Sequence, residues 1–414
     1  MTQTLSPART TEFEFRALDD DDAELRVAND VFREALHDEP LDDEKWALIR
    51  KAYEPGRTYG AFAGATLVGT TTSLTSSLTL PGGAILPMAA VTAVGVRTDH
   101  RRRGALTGLM RLQLAGCAAA GDVFATLHAS EPTIYGRFGY GIGTRVRIMR
   151  VRPARARVRP EVPTSGTVRL LSKDEALTLL PEAYPRLQQA RAGMMGRSPA
   201  WWALNYERRM EHGYFRVAAH FRPDGEIDGF VGYRPGPFPS DDVRAGAAIG
   251  VLDFTAAGQE ATSDLWRFLL DIDLIEEVTV YMRPMDDPLE AMLVDLFAVR
   301  TELDDELWVR VLDVPTALAG RTYGAADPVV IEIVDPLLPT NSGRYLISPQ
   351  GTERTGAPAA LTMTVETLGM IYLGTWRPSA LASIGRLTAT DPGALPAADR
   401  LFATDRPAWC GSLF

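Results

Sequence analysis

The chain has 414 residues, 46% of them hydrophobic, and a net charge of −10. This length and composition predict a globular protein of two to four domains with large buried cores. The negative charge argues against nucleic acid as a partner, because phosphate backbones are bound by basic surfaces. Its two cysteines, Cys117 and Cys410, lie far apart in the sequence and predict neither a disulfide framework nor a metal site.

The amino-terminal residues lack the basic and apolar regions of a signal peptide. No apolar run reaches the roughly 20 residues that a membrane span needs. We therefore expect a cytoplasmic protein that is not inserted into a membrane.

The first feature in chain order is an acidic stretch, residues 12–44, with 14 acidic residues against three arginines. Such a stretch repels anions and attracts cationic substrates. Its pattern predicts a helix over about residues 19–36, on which most of the acids are solvated. Glu34 and Asp38, together with Trp46, are candidates for a pocket that binds amines, although a lone tryptophan is more often a core residue.

A strand-like run at residues 84–96 leads into His100-Arg101-Arg102-Arg103-Gly104 and a helix predicted over about residues 103–120. Backbone N–H groups at a helix start converge on one point, and the helix dipole favours negative charge there. Gly104 permits close approach of a ligand, and the arginines supply bidentate hydrogen bonds. The loop predicts a site for a phosphorylated cofactor, although it lacks the glycine spacing of a P-loop or a dinucleotide fold.

This order of strand, Arg-Arg-x-Gly-x-[Ala/Leu] loop and helix resembles the coenzyme A site of GCN5-related N-acetyltransferases. The resemblance implies that the strand pairs with the pantetheine arm of acetyl-CoA and that the loop amides hold the pyrophosphate. The positions carried over are Val94, Gly95, Val96, Arg102, Arg103, Gly104, Ala105, Leu106 and Thr107. The alternative is a basic surface turn, against which the flanking strand and amphipathic helix argue.

The run at residues 123–129 predicts a buried strand that leads to Ser130, Glu131 and the aromatic segment from Tyr135 to Tyr140. Strand, helix and strand in this order form a unit whose ligand site lies at the carboxyl ends of the strands. The first domain is expected to close near residue 150.

After an extended connector at residues 150–166, the order of elements partly repeats. The pattern predicts a hairpin at residues 214–233, a strand at 245–255, a helix at about 260–272 and a strand at 278–282. Where the first copy has its arginines, the second has Ala256-Ala257-Gly258-Gln259-Glu260-Ala261, with no positive charge before Arg267. We therefore expect acetyl-CoA to bind the first copy only.

The remaining residues predict a unit in which strands precede helices. The strand-like runs are 307–312, 329–334, 344–347 and 361–365, and the helical segments are 368–373, 379–386 and 395–403. The segments 307–315, 371–374 and 399–402 resemble a sterol-carrier-type domain.

This combination resembles the Eis (enhanced intracellular survival) family of acetyltransferases over nearly the whole chain. The likeness is strongest at residues 100–104, 127–131 and 134–141. It implies a mixed α/β and α+β fold: two tandem GCN5-related N-acetyltransferase domains, the second degenerate, and a sterol-carrier-protein-like domain whose C-terminus reaches the active site. We assign these domains to residues 1–158, 159–297 and 298–414.

The resemblance further implies a homohexamer that acetylates amines of aminoglycosides or of lysines. Ser130 and Glu131 are implied to approach the cofactor, Tyr135 to act as general acid and the carboxylate of Phe414 to act as base. The apolar sequence of residues 409–414 suits a buried chain end better than a frayed one. Two alternatives remain open: a protein or peptide N-acyltransferase, and a lipid-carrier protein without catalytic activity.

Overall fold

A computed structural model of the chain describes residues 12–211, 213, 215–236 and 247–414. The chain forms two compact units. The smaller unit comprises residues 12–74 and 91–120, and the larger unit comprises residues 75–90 and the described residues of 121–414. The chain passes from one unit to the other within the long strands Thr66–Thr79 and Ile85–Val96.

In the smaller unit, the acidic helix forms where the sequence predicts it, at Asp22–Ala35. The side chain of Asp21 caps it by accepting the N–H of Glu24 at 2.9 Å, and acids in the first turn complement the helix dipole. The other elements of this unit are the strands Glu14–Ala17 and Thr58–Ala63 and the helices Asp43–Arg50 and Ala105–Ala119. The two strands pair antiparallel, and Thr58–Ala63 continues the pairing with Thr66–Thr79.

In the larger unit, the strand Phe124–Leu127 pairs in parallel with Ile85–Val96 through Met88, Ala89 and Ala90. Trp308–Val311 pairs antiparallel with Phe124–Leu127 and with Gly141–Ile142. The strand predicted at residues 307–312 therefore exists, but its assignment to the last unit is wrong. Local alternation predicts a strand without indicating its partner, which here lies far back in the sequence.

A seven-stranded sheet forms the centre of the larger unit. Its strands, in spatial order, are Val299–Asp305, Arg145–Val151, Ile275–Arg283, Ala247–Ala256, Ile227–Pro235, Arg216–Phe221 and Thr167–Leu171. The predicted repeat is present, with the helix Gln259–Leu270 between two parallel strands. Residues 214 and 245, where the predicted hairpin and strand begin, lie outside the described residues.

Several elements of this unit are absent from the predicted set. The helix Lys173–Gln189 begins with a capping box formed by Ser172 and Glu175. A second helical segment runs through Pro199–Trp202, a π-helical turn at Ala203–Glu207, and Arg208–Glu211. A short helix at Leu289–Met292 follows the central sheet strand that ends at Arg283.

The C-terminal part has its own five-stranded sheet. In spatial order its strands are Gly351–Arg354, Gly343–Ser348, Val329–Val334, Leu361–Thr364 and Leu387–Ala389, and its helices are Val314–Gly320, Val365–Tyr372, Pro378–Ser383 and Leu395–Phe402. The predicted order of strands before helices is wrong at two places, because a helix precedes the first strand and Leu387–Ala389 lies between two helices. Across the described ranges, no helix combines the length and the apolar character that crossing a membrane would require.

Candidate active site

The arginine loop, residues 98–104, ends where the helix Ala105–Ala119 begins. Gly104 has a φ of +103° and Arg102 a φ of +61°, so the loop contains two left-handed residues, one of them not glycine. Among the residues that the structure describes, no side chain caps this helix start, and the N–H groups of Ala105, Leu106 and Thr107 have no partners inside the helix. A Cβ at Gly104 would meet nothing within 4 Å, so the space beside these donors is open.

The three arginines of the loop differ in their partners. Arg103 forms an ion pair with Glu12, and its guanidinium lies over the ring of Phe13 at 5.7 Å. Arg101 and Arg102 are exposed, and within the described ranges neither forms an ion pair. Two guanidinium groups are thus available to an anion at the helix start.

The strand residues assigned to the pantetheine arm follow a strained position. Ala93 has a φ of +50° inside the strand Ile85–Val96, and Val94, Gly95 and Val96 come directly after it. Such strain persists only where the surrounding structure enforces it, and it is common at ligand sites. Gly95 has a packing role as well, because a Cβ there would lie 2.9 Å from the Cα of Phe32.

In the larger unit, the segment after the strand Phe124–Leu127 carries the candidate acid. Ser130 and Glu131 are exposed, whereas Tyr135 is only 5% exposed. Its ring packs edge-on against Tyr140 at 6.0 Å. Burial, with a smaller effect of the Glu131 charge, raises the pKa of Tyr135 to about 12, so its hydroxyl stays protonated at neutral pH.

His128 connects this segment with the chain terminus. Its Nε2 donates to the carbonyl oxygen of Ser412 at 2.9 Å, and its ring packs against that of Phe414 at 4.8 Å. Burial lowers the pKa of His128, so the imidazole is neutral at pH 7. The structure therefore places Phe414 beside the carboxyl end of the strand that precedes Tyr135.

A buried carboxylate holds the C-terminal segment, residues 404–414. Glu306 is 2% exposed and accepts the N–H groups of Cys410 at 3.1 Å and Gly411 at 2.7 Å. The hydroxyl of Thr144 donates to the same carboxylate at 2.8 Å. Burial raises the pKa of Glu306, and the three donors compensate for the desolvation of its charge.

A buried arginine holds the last residues from another side. Arg197 donates to the hydroxyl oxygen of Ser412 at 2.9 and 3.0 Å and forms a buried ion pair with Asp253 at 2.7 Å. Its guanidinium lies over the ring of Trp201 at 4.1 Å, and the indole N–H of Trp201 donates to the carbonyl oxygen of Leu413 at 2.6 Å. The chain end is thus fixed by side chains and is not frayed.

The three candidate substrate residues lie in the smaller unit, and the structure does not bring them together in one pocket. Glu34 is exposed on its helix, and Asp38 is exposed and lies 3.8 Å from Arg33. Trp46 is 4% exposed and donates its indole N–H to Asp22 at 3.1 Å. Trp46 is therefore a core residue, as the more common behaviour of a lone tryptophan predicts.

Sequence reasoning missed Glu306, Arg197, Asp253 and Trp201. None belongs to a local motif, since each acts on residues more than fifty positions away in the sequence. A usable signal existed for Glu306 alone: it is an acid directly before the strand-like run 307–312, and a charge in such a place is buried only when it is paired.

The second copy differs from the first at the equivalent helix start. Gly258 precedes the helix Gln259–Leu270 with a φ of −138°, and no arginine lies in the loop. In the part of the chain that the structure describes, no group of three or more His, Cys, Asp or Glu side chains is placed to hold a metal ion.

Family models match three consecutive parts of the chain. Residues 14–143 match one acetyltransferase (GNAT) domain, residues 193–311 match a second, and residues 314–411 match a sterol carrier protein domain. The predicted order of two acetyltransferase domains and a sterol-carrier-like domain is thereby confirmed.

Relatives also match the chain over most of its length. N-acetyltransferase Eis of Mycobacterium bovis is 33% identical over 84% of this chain and 86% of its own length. An uncharacterized N-acetyltransferase of Streptomyces coelicolor is 36% identical over 89% of this chain and 92% of its own. The crystal structure of Eis1 from Mycobacterium abscessus, 37% identical, covers 97% of this chain and 100% of its own with a TM-score of 0.86.

Proposed function

The chain belongs to the Eis family of GCN5-related N-acetyltransferases, and we propose that it transfers the acetyl group of acetyl-CoA to amines of cationic substrates, including aminoglycosides at one or more positions. The family makes the chain an acyl-CoA-dependent acetyltransferase. Beyond this family assignment, we propose that the donor is acetyl-CoA and that aminoglycosides are acceptors.

The observation that carries the proposal is the arginine loop. Two left-handed residues, a helix start without a side-chain cap, and Arg101 and Arg102, which form no ion pair within the described ranges, match the charge and shape of a pyrophosphate. The exposed acids of the helix Asp22–Ala35 support a cationic acceptor, because they favour positive charge near the smaller unit.

In the proposed reaction, the neutral amine attacks the thioester carbonyl carbon, and the carbon–sulfur bond breaks. Tyr135 donates its proton to the departing thiolate, and the carboxylate of Phe414 accepts the amine proton directly or through one water. With a pKa of about 12, Tyr135 holds its proton more strongly than a thiol of pKa about 8.5. Its hydroxyl must therefore stand close to the developing charge for the transfer to occur.

The test is release of free thiol on mixing the full chain and acetyl-CoA with an aminoglycoside, a polyamine, a lysine-containing peptide or no amine. We expect release with the aminoglycoside well above the rate without amine. Release with the peptide alone would replace the aminoglycoside proposal by the protein-acyltransferase alternative. No release with any amine would contradict acetyl transfer.

The role of Tyr135 is tested by the Tyr135→Phe variant. Loss of a positioned acid is expected to lower kcat about 10²-fold while acetyl-CoA affinity stays near that of the wild type. Tyr233→Phe serves as the matched control, because it removes the hydroxyl of another buried tyrosine in the same unit. Equal rates for both variants and the wild type would leave Tyr135 as a core aromatic residue.

A further inference from the structure

A cavity of about 330 Å³ is lined by residues of the second copy and by Arg406 and Trp409 of the C-terminal segment. The strands Ala247–Ala256 and Ile275–Arg283 pair in parallel up to Val251 and Val280. Beyond those pairs, Phe254 and Ala256 on one strand and Arg283 on the other line the cavity. It therefore occupies the fork between two parallel strands, in front of the helix Gln259–Leu270.

The lining of this cavity carries more positive than negative charge. Three arginines, Arg191, Arg283 and Arg406, face two aspartates, Asp286 and Asp287. Arg283 is fully engaged, since it forms an ion pair with Asp287 at 2.6 Å and donates to the carbonyl oxygen of Phe254 at 2.6 Å. Within the described part of the chain, Arg406 has one long polar contact, 3.5 Å to Asp286, and its side chain is 53% exposed, so most of its donors are available.

Two further features of the wall suit a ligand with a polar head and an apolar body. The helix start at Gly258 lines the cavity and has no side-chain cap. Trp409 forms another wall together with Met194 and Phe254, and its buried indole N–H has no hydrogen-bond partner among the described residues. Met194, Phe254 and Trp409 thus contribute apolar surface to the lining.

We propose that this cavity binds a small organic acid, with a carboxylate or phosphate head on Arg406 and the helix start and an apolar body against Met194, Phe254 and Trp409. The volume lies at the lower end of the roughly 300–1,000 Å³ range of small-molecule pockets, which suits a one-ring acid and not a molecule the size of acetyl-CoA. This site is separate from the arginine loop and does not depend on the proposed acetyl transfer.

The test is calorimetric titration of the full chain with phenyl phosphate and with benzoate, and with benzyl alcohol and benzylamine as neutral and cationic counterparts. The Arg101→Ala/Arg102→Ala variant is titrated in parallel, because the arginine loop is a second place where an acid could bind. We expect one acid per chain to bind in both proteins, and the comparison of phosphate with carboxylate identifies the preferred head. Binding that disappears in the double variant, or that benzyl alcohol equals, would overturn the proposal.

Two variants then locate the site. Arg406→Gln is expected to weaken acid binding at least fivefold, and Ala256→Trp, which fills the fork, to abolish it. Arg155→Gln is the matched control, because this arginine is similarly exposed and is paired with Asp295 at 2.6 Å outside the cavity. Since Arg406→Gln alters an exposed side chain, its fold should be intact, and unchanged affinity in this variant would overturn the proposal even if Ala256→Trp fails to fold.

Discussion

The arginine loop and the C-terminal segment carry the two halves of the proposed chemistry, and they are built in opposite ways. The loop is exposed, and its donors are backbone amides and side chains within residues 101–107. The C-terminal segment is buried at residues 408–412, and it is held by side chains that lie between 104 and 284 positions away in the sequence.

This difference predicts how strongly a substitution in each region should affect binding, turnover or stability. Exposed charges act nearly independently, so losing one weakens a site by a modest amount. Buried polar networks are more sensitive. Removing one partner leaves a donor or a charge that is still desolvated but no longer hydrogen-bonded, and this lowers the free energy of unfolding. We therefore expect graded effects in the loop and steep effects in the C-terminal segment.

The largest effect is expected from a C-terminal extension. A tag after Phe414 converts its carboxylate into an amide and places additional chain beside His128. A lost general base typically costs about 10²–10⁴-fold, so we expect kcat to fall about 10³-fold. The same tag at the amino terminus is the control, compared at matched thermal stability. Equal turnover of the two tagged proteins would mean that the carboxylate of Phe414 takes no part in catalysis.

The next effect concerns the ion pair that supports the chain end. Asp253→Asn leaves the buried Arg197 without its counter-charge, and breaking such a pair costs about 3 kcal/mol or more. Urea unfolding at pH 7 measures the loss. Asp295→Asn, which removes the partner of Arg155 at the protein surface, is the matched control and should cost much less. Similar losses in both variants would contradict the distinction between the buried network and the surface.

The same distinction explains what the sequence predicted and what it did not. The loop and its helix were predictable because the arginines, Gly104 and the apolar helix face lie within one short stretch. The contacts of Glu306 and Arg197 were not, since they depend on which distant strands and loops meet. Local rules also failed at the helix Lys173–Gln189, which contains Pro181 and Pro185. Prolines normally interrupt helices, although the capping box at Ser172 marks the start of this one.

A smaller effect is expected at the arginine loop. Arg101→Ala combined with Arg102→Ala removes the two guanidinium groups that are available to an anion, and at an exposed site we expect about 1 kcal/mol each, or about 30-fold weaker acetyl-CoA binding. Calorimetry should give one acetyl-CoA per wild-type chain. Gln259→Ala, at the equivalent helix start of the second copy, is the control and should leave affinity unchanged. Two equivalent sites per chain would show that the second copy also binds acetyl-CoA.

The smallest effect is expected from Phe414→Ala, and it separates the charge of the last residue from its ring. This variant keeps a terminal carboxylate at position 414 and loses only the packing of the phenyl ring on His128 at 4.8 Å. Deleting Phe414 withdraws the charge by one residue, up to about 3.6 Å, which exceeds the reach of a hydrogen bond. We expect turnover within about fivefold of the wild type for the alanine variant and a much larger loss for the deletion, on the scale of a lost base.

Both variants should fold alike, because the contacts of Glu306 and Arg197 reach Cys410, Gly411 and Ser412 and do not involve the last side chain. A difference in turnover at equal stability therefore reports where the carboxylate stands. If the alanine variant were as slow as the deletion, the ring would be the functional part of Phe414. The proton acceptor would then have to be sought elsewhere, with His128 and Glu131 as the first candidates.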